Sequence, residues 1–253
     1  MKKILTNLII LGSFAIHVVH GREAQTQQTE SFNQKHPHHI YFGPEAFWFN
    51  LNTHFKDVKV NGSKFFIGLR LGYEYLKPKA FYFGIDLMGA GGNKGFSDSY
   101  KGYHFSKSNG LTGFGNIELR FGYTFSPRKG LVTPFLGMGG YSFGYGSHHH
   151  HFDEGISYLT GGFRSQCELT PVFSLGWNLK AFASIYRDER FKFWGIKRTD
   201  HHGGWGGEIG LPLMWHVGSA KRWDIQLQPY FLSLKLSERQ NIYGTRLLFE
   251  YRF

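Results

Sequence analysis

The chain of 253 residues has almost no cysteine, and this scarcity excludes a fold held together by disulfides. Cys167 is the single cysteine, so no disulfide framework can form within the chain. Long hydrophobic runs are also scarce. Beyond residue 21 no apolar stretch approaches the roughly 20 residues that a membrane-spanning helix requires. We therefore predict that the exported chain contains no transmembrane helix.

Acidic residues are in the minority, but the basic excess is not of the kind that binds nucleic acid. Lys and Arg number 29 against 18 Asp and Glu, which gives a formal net charge of +11. The basic residues are scattered, and no basic run alternates with aromatic side chains that could stack on bases. We therefore expect no nucleic-acid partner.

The N-terminus has the parts of an export signal. Lys2 and Lys3 precede an apolar core at Ile4–Ile16, which is too short to span a bilayer as a helix. The small residue at position 21 fits a cleavage site, so we predict a signal peptide over residues 1–21. Residues 22–38 are rich in glutamine and lack apolar periodicity, which predicts a flexible tail.

Aromatic residues and glycine are abundant, and together they favour β-structure. Aromatic residues make up 18% of the chain and glycine occurs 34 times, a combination typical of strands with tight turns. The clearest stretch is Lys64–Leu76, KFFIGLRLGYEYL, in which apolar residues alternate with polar or small ones. Ile242–Phe253, IYGTRLLFEYRF, alternates in the same way. Each stretch predicts a strand with one apolar and one polar face.

Ten stretches of this kind predict an all-β chain folded as a single antiparallel up-and-down β-barrel of ten strands. Long and short connections alternate between them, and merging the two least regular stretches would give the alternative, an eight-stranded barrel. The sequence does not decide which residues of the first stretch point inward, because the stretch contains Pro44. Pro134 is expected to split the fifth, and Asn61-Gly62 predicts a tight hairpin turn. The stretches are His39–Leu51, Lys64–Leu76, Ala80–Gly91, Leu111–Ser126, Leu131–Gly146, Ser157–Leu169, Phe173–Arg187, Trp205–Val217, Trp223–Lys235 and Ile242–Phe253.

The export signal, the alternating strands and the terminal Phe253 resemble those of small bacterial outer-membrane β-barrels, the broad group that contains the OmpA membrane domain and OmpX. The resemblance covers about residues 39–253. It implies a multi-pass barrel in the outer membrane of a Gram-negative cell, with residues 22–38 in the periplasm and long loops outside. It also implies that the barrel-assembly machinery recognises Phe253. The basic excess would then face anionic lipopolysaccharide.

The polar faces of the predicted strands carry charges of both signs in similar number. In a narrow barrel these side chains would pair across the lumen, because unpaired buried charge is very costly. We therefore predict a plugged lumen, with a narrow aqueous path lined by the same charges as the alternative. The predicted lumen network comprises Arg70, Glu74, Asp86, Glu118, Arg120, Arg164, Glu168, Lys180, Glu208, Asp224, Arg246 and Glu250, and Arg252 shares their parity.

Four consecutive histidines form the only candidate metal site in the sequence. They lie in the predicted loop Ser147–Ile156, and imidazole nitrogens bind zinc, copper or nickel. Neighbouring residues of a loop lack the fixed spacing of a rigid site, so we expect weak divalent binding or simply an exposed polar loop. No other cofactor is expected. The four residues are His148, His149, His150 and His151.

No stretch of the sequence assigns a catalytic residue. Asp200 and His202 have the Asp-x-His spacing found at the outer rim of the omptin proteases, but no second aspartate accompanies Asp98. No serine, histidine and acid stand out as a set. We therefore expect a non-enzymatic envelope protein that interacts through its surface loops. The alternatives are a narrow porin-like channel and an enzyme that processes lipids or peptides.

Overall fold

The computed structural model describes most of the chain after residue 35. The predicted signal peptide and most of the predicted tail lie outside the described residues. No helix in the described part is long and apolar enough to cross a membrane. The described ranges are 36–55, 58–92, 97–100, 103–105, 112–127, 130–146, 150–193, 196–200, 203–218, 222–235 and 239–253.

Fourteen strands account for nearly all of these residues. In chain order they are β1 (His38–Phe55), β2 (Val58–Leu76), β3 (Ala80–Gly92), β4 (Ser97–Tyr100), β5 (Tyr103–Phe105), β6 (Thr112–Thr124), β7 (Gly130–Gly146), β8 (His150–Thr170), β9 (Phe173–Phe193), β10 (Ile196–Asp200), β11 (Trp205–Gly210), β12 (Leu213–Val217), β13 (Trp223–Lys235) and β14 (Arg239–Arg252).

The strands close into a barrel with ten positions in its wall, all paired antiparallel. Around the ring the order is β1, β14, β13, β11 with β12, β9, β8, β7, β6, β3 and β2, which pairs again with β1. The short strands β4, β5 and β10 extend the sheet beyond the ring on the ends of β2 and β9. The predicted ten-stranded barrel is confirmed, and the eight-stranded alternative is wrong.

The closing seam joins the first and last strands. The ladder between β1 and β14 runs from the His39–Arg252 pair to the Asn50–Asn241 pair. At its end the backbone N–H of Phe253 donates to the carbonyl of His38 at 2.9 Å, and the two rings stack with centroids 5.3 Å apart. The sheet therefore has no open edge at this seam, as a barrel in lipid requires.

The two ends of the barrel differ. At one end, here called the turn end, short connections join β2 to β3, β6 to β7, β8 to β9 and β12 to β13, and both His38 and Phe253 lie there. At the opposite end, the loop end, several strands continue far beyond the apolar segments. There β8 begins at His150 and β9 continues to Phe193, so parts of the predicted loops 147–156 and 188–204 are strands.

Two local predictions from proline and glycine were wrong, and one predicted strand is not continuous. Asn61 and Gly62 lie inside β2, paired with Asn52 and Leu51, and the ladder continues to Phe55 and Val58. Pairing along the whole strand overrides the local turn preference of Asn-Gly. Residue 134 does not split the fifth strand, because β7 stays paired with β8 without interruption and Pro134 lies opposite Phe163. The eighth predicted strand is instead interrupted at residues 211–212, between β11 and β12.

The outer surface of the barrel is an apolar band between two girdles of exposed aromatic residues. Leu69 and Leu136, within the band, are 70% and 73% exposed. Trp205 and Trp215, at the β11–β12 position, and Tyr243 and Phe253, at the end of the chain, each give one member of both girdles, ten residues apart. Ten residues correspond to roughly 25 Å for strands tilted by about 40°. The loop-end girdle comprises Trp48, Phe65, Tyr186, Trp205 and Tyr243. The turn-end girdle comprises Phe81, Tyr123, Phe125, Trp215, Trp223 and Phe253.

Several glycines that face the lumen make room for a large side chain on the neighbouring strand. A Cβ on Gly72 would lie 2.1 Å from the ring of Tyr41, its direct ladder partner. The same direct pairing recurs three times, so these four glycines serve lumen packing rather than turns. The other pairs are Gly139–Tyr158, Gly206–Phe182 and Gly244–Tyr230.

Candidate functional site in the barrel lumen

An alternating ring of buried charges crosses the lumen at the height of the apolar band. Four cations and four carboxylates contact one another in turn, so the ring as a whole is formally neutral. Each member sits at an inward-facing position, and seven strands contribute. The order of contacts is Glu45, Arg70, Asp86, Arg120, Glu118, Lys180, Glu208, Arg246 and back to Glu45.

The contacts within this ionic ring are mostly hydrogen-bonded. Arg246 donates from Nε to Glu45 at 3.2 Å and from a terminal nitrogen to Glu208 at 2.8 Å. Lys180 lies 2.9 Å from Glu118 and 3.2 Å from Glu208. The longest link, 4.0 Å, joins Arg120 to Asp86. Charge-assisted bonds of this kind offset the large cost of burying each charge.

Further side chains brace the ring. Glu74 contacts both Arg120 and Arg164. These two residues, Glu74 and Arg164, form a side branch of the ring toward the turn end, here called its spur. The Tyr41 hydroxyl donates to Asp86 at 2.6 Å. The Tyr158 hydroxyl donates to Glu118 at 2.9 Å. Nine of the predicted charges are thus held, together with Glu45, in a connected network.

A second polar chain lies between the ring and the turn end, and it crosses the closing seam. His39 on β1 lies 2.7 Å from Glu250 on β14, and Arg252 bridges Glu250 and Asp224. From Asp224 on β13 the chain continues to His216 Nδ1 at 2.7 Å. One continuous series of hydrogen bonds therefore connects the first, last and penultimate strands.

The far end of this chain has the order of contacts seen in nucleophilic triads. His216 Nε2 lies 2.8 Å from Ser174 Oγ, while Nδ1 is held by Asp224. A serine, a base and an orienting acid in this order can activate the hydroxyl. Ser174, however, has 0% exposure, so in this conformation no substrate reaches its oxygen. The trio here links β9, β12 and β13.

The loop-end half of the lumen is filled by apolar and aromatic side chains instead of charges. Phe49 is fully buried, and its ring centroid lies 5.0 Å from that of Phe143 and 6.0 Å from that of Phe114. Such edge-to-face contacts are favourable arrangements of aromatic rings. The aromatic cluster comprises Phe47, Phe49, Phe66, Met88, Phe114, Tyr141, Phe143, Ile156, Tyr158, Phe182, Tyr230, Leu234 and Ile242.

A separate buried ion pair lies beyond the apolar band at the loop end. Arg187 donates from Nε to Glu154 at 2.9 Å, and Gln240 donates to the same carboxylate at 3.1 Å. Burial raises the pKa of Glu154 above its ordinary value, and Arg187 opposes this shift. The pair ties β8, β9 and β14 together above the aromatic cluster.

The predicted lumen residues divide between these layers. Nine of them form the ring and its spur, and Asp224 and Glu250 belong to the second chain. Glu168 is half-buried near the turn end, opposite Ser174 in the ladder. The pattern missed Glu45, since the facing of the first strand was ambiguous, although its partnership with Arg246 follows from the seam register. The nine are Arg70, Glu74, Asp86, Glu118, Arg120, Arg164, Lys180, Glu208 and Arg246.

The other candidate residues lie at the loop end. His148 and His149 are outside the described residues, and His150 and His151 begin β8. Among the described side chains, no group of three or more His, Cys, Asp or Glu residues could hold a metal ion. Asp98 lies in β4 and Asp200 ends β10, while His202 lies outside the described residues.

Comparison with known proteins bears on the fold. No family model matches the chain, and no curated protein matches it. The outer membrane protease OmpT from Escherichia coli superimposes with a TM-score of 0.55 at 8% identity, over 85% of this chain and 96% of that one. The translocator domain of the autotransporter NalP from Neisseria meningitidis gives 0.50 at 9% identity, over 96% and 98%. At such low identity these likenesses establish the fold alone.

The closed ring of ten strands, the apolar band between aromatic girdles and the polar lumen define the class of protein. The chain has the fold of the β-barrels of bacterial outer membranes.

Proposed function

We propose that this protein is an integral outer-membrane barrel that acts through its loop-end hairpins at the cell surface, with a lumen closed to passive diffusion. The observation that carries the proposal is the double filling of the lumen by the ionic ring and the aromatic cluster. Barrels that pass solutes freely have about 16–18 strands and an open interior. A filled ten-stranded barrel leaves the surface hairpins as its means of contact with other molecules.

The proposed orientation places the turn end in the periplasm and the loop end outside the cell. Signal-dependent export would deliver the chain, and the barrel-assembly machinery would recognise Phe253. Support comes from the short connections, both of the described chain ends and the second aromatic girdle, which all lie at the turn end. Deleting Phe253 should lower the yield of assembled barrel in cells. An unchanged yield would contradict this role.

The proposed partners are molecules at the outer surface. Lipopolysaccharide phosphates are one, because Lys59, Lys192, Lys197 and Arg198 lie on strands at the loop end. An environmental or host ligand is the other. Shortening the β1–β2 hairpin by the pairs 52–55 and 58–61 should abolish binding to whole target cells or to lipopolysaccharide vesicles while leaving the barrel folded. Retained binding by this variant would place the interaction elsewhere.

The channel alternative is tested by conductance. A cavity of about 110 Å³ remains inside the lumen, which gives this alternative some support. We expect no current steps when the purified barrel is inserted into planar bilayers. The positive control is a variant with Phe49, Phe66 and Phe143 changed to alanine, which removes part of the aromatic cluster. Steps from the unaltered protein would overturn the closed-lumen proposal.

The enzyme alternative rests on the trio Ser174, His216 and Asp224. If this serine were activated, a fluorophosphonate probe would label it in the folded barrel, and the label would disappear in Ser174→Ala and His216→Gln. We expect no labelling, because the serine is fully buried. Labelling that depends on both residues would establish the enzyme alternative.

Weak binding of a zinc, copper or nickel ion by His148–His151 is a further proposal. Titration with nickel should give a single weak site that is lost when the four histidines are changed to alanine. Identical binding by both proteins would place the ion elsewhere.

A further inference from the structure

Three prolines stand close together in one part of the barrel wall. Pro44 is in β1, Pro229 is in β13, and Pro212 lies between β11 and β12. The strand β14 separates the first two, and its register shows that they lie at one height. Pro44 stands opposite Leu247, and Pro229 pairs with Thr245, two residues along the same strand. The register between β11 and β13 then places Pro229 opposite the residue that precedes Pro212.

Each proline removes a hydrogen bond from the ladder, because proline has no backbone N–H. The carbonyl of Pro212 accepts from the N–H of Gly176 at 2.8 Å, and the carbonyl of Pro229 accepts from the N–H of Leu211 at 3.0 Å. Two residues that pair in this way in an antiparallel ladder normally exchange two bonds. Neither proline can donate the return bond, so residues 211 and 212 are each held to a neighbouring strand by one bond instead of two.

The closing seam is interrupted at the same height. The ladder between β1 and β14 passes from the Phe42–Phe249 pair to the Glu45–Arg246 pair without the two pairs between them, although the structure describes every residue of this stretch. Pro44 lies in this gap. Three interfaces are therefore short of backbone bonds, those between β1 and β14, between β13 and β11, and between β12 and β9. They form what is here called the proline sector.

Arg246 holds the proline sector together from the lumen side. It donates across the seam to Glu45 on β1 at 3.2 Å, and it reaches over β13 to donate to Glu208 on β11 at 2.8 Å. The strand that it passes over brings the neutral, buried Gln228 to the lumen at this height. The ionic ring therefore crosses the proline sector through the two bonds of a single guanidinium.

We propose that the proline sector is a lateral gate in the barrel wall and that Arg246 is its latch. Breaking backbone bonds inside a membrane is costly, so the wall opens first where the fewest bonds hold it. Gln228 lines the lumen cavity, and the adjacent Pro229 is exposed on the outer surface. An opening here joins the lumen to the membrane from the side. In the structure the gate is shut, and the gate does not depend on the proposed surface role.

Amide hydrogen exchange shows where the wall opens. The full barrel is measured in detergent micelles, with single amides resolved by TROSY NMR. Leu211 and Gly176 should exchange at least about fivefold faster than Leu119 and Met138, the effect of roughly one hydrogen bond. The latter two are ladder partners on β6 and β7, on the other side of the ring. Equal exchange at the four amides would overturn the proposal.

Returning the missing donor should hold the gate shut. Pro229→Ala supplies an N–H opposite the carbonyl of Leu211 and should slow the exchange of that amide at least about fivefold. Pro212→Ala does the same opposite Gly176, and it keeps the test decisive if the first variant does not fold. The matched control is Pro134→Ala in β7, outside the proline sector, which should change neither amide. Heat-modifiable gel mobility verifies folding, and unchanged exchange in a folded gate variant would contradict the proposal.

Releasing the latch should open the gate selectively. Arg246→Met should speed the exchange of Leu211 at least about tenfold more than that of Leu119, because two charge-assisted bonds across the sector are lost. Arg120→Met removes another cation of the ring, whose carboxylate partners lie on β2, β3 and β6. This control should change both amides by a similar factor. The proposal is overturned if Arg246→Met speeds the two amides equally, or if the control shows the same selectivity.

Discussion

The ionic ring and the aromatic cluster fill the same lumen by opposite means. Each charge in the ring requires a partner of opposite sign at a fixed place, because a lone buried charge costs several kcal/mol. The cluster requires only that its volume be filled by well-shaped apolar groups. The ring should therefore be sensitive to geometry at each position, and the cluster should respond in proportion to the volume removed.

The change from one layer to the other occurs within single strands. On β9, Lys180 belongs to the ring and Phe182, the next inward residue, to the cluster. On β2, Arg70 and Phe66 are divided in the same way. Neighbouring strands change at a similar height, which places the boundary and its cavity at one level of the barrel.

The largest effect is expected from emptying the centre of the cluster. Phe49→Ala should lower the free energy of unfolding by about 4 kcal/mol, since a fully buried phenyl ring is lost and a cavity remains. Phe49→Leu should cost about 1.5 kcal/mol or less. Urea unfolding in phospholipid vesicles measures both. Equal losses for the two variants would show that shape, and not volume, governs the cluster.

A slightly smaller effect is expected from breaking the ring. Arg246→Met should cost about 3 kcal/mol, because Glu45 and Glu208 each lose one cation but keep another. Arg246→Lys should retain most of that loss. An ammonium lacks the planar fork with which Arg246 donates from two different nitrogens to Glu45 and Glu208. It also loses the stacking on Tyr230, whose ring centroid is 3.9 Å from the guanidinium. Full stability of the lysine variant would mean that charge alone suffices. Both variants are measured by the same unfolding assay.

The glycine–aromatic pairs are the points where the barrel wall makes room for large side chains of the lumen. Gly72→Ala should cost about 2 kcal/mol, because its Cβ overlaps the ring of Tyr41. The displaced ring would lose the hydrogen bond that its hydroxyl donates to Asp86 of the ionic ring. Gly89→Ala, which meets nothing, should be nearly neutral. Unfolding of the two variants side by side is the measurement, and similar values would contradict the packing role.

The smallest effect is expected in the second polar chain. Ser174→Ala removes one hydrogen bond to His216 and should cost about 1 kcal/mol. Asp224→Asn serves as its contrast, since it leaves Arg252 without a carboxylate partner at that contact and should cost more. Urea unfolding measures both variants. If the serine variant were the less stable of the two, the hydrogen bond between Ser174 and His216 would contribute more to stability than the ion pair between Asp224 and Arg252, contrary to this expectation.

Much of the fold could be predicted from the sequence because period-two alternation is a local property. The ten strands, their outward faces and the inward parity of Arg70 or Lys180 follow from it. The prediction failed where proline or Asn-Gly signals compete with pairing. Asn61-Gly62 lies inside a strand, since a ladder of many hydrogen bonds outweighs one turn preference. The long strands β8 and β9 likewise extend past the apolar segments that revealed them.

The candidate site was less predictable. The alternation of apolar and polar residues along the last strand shows that Arg246 faces inward. It does not show that Arg246 contacts Glu45 and Glu208, which are 201 and 38 residues away in sequence. Those contacts depend on the register of three separate strand pairs and on the diameter of the closed ring. The trio around His216 could not have been identified either, because it depends on the register of β12 with both of its neighbours, which pairs His216 with Asp224 and Met214 with Ser174.

By itself, the sequence determined that this chain forms alternating strands with an apolar and a charged face, ten in number, ending in a strand that must find a partner. Alternation is encoded residue by residue, so it needs no tertiary information. Only the tertiary structure decided how the charged faces are used. Closing the sheet brings inward residues from seven strands to one height, where opposite charges complete a neutral ring beneath the aromatic cluster. That arrangement depends on strand register and barrel closure, which no single stretch of sequence contains.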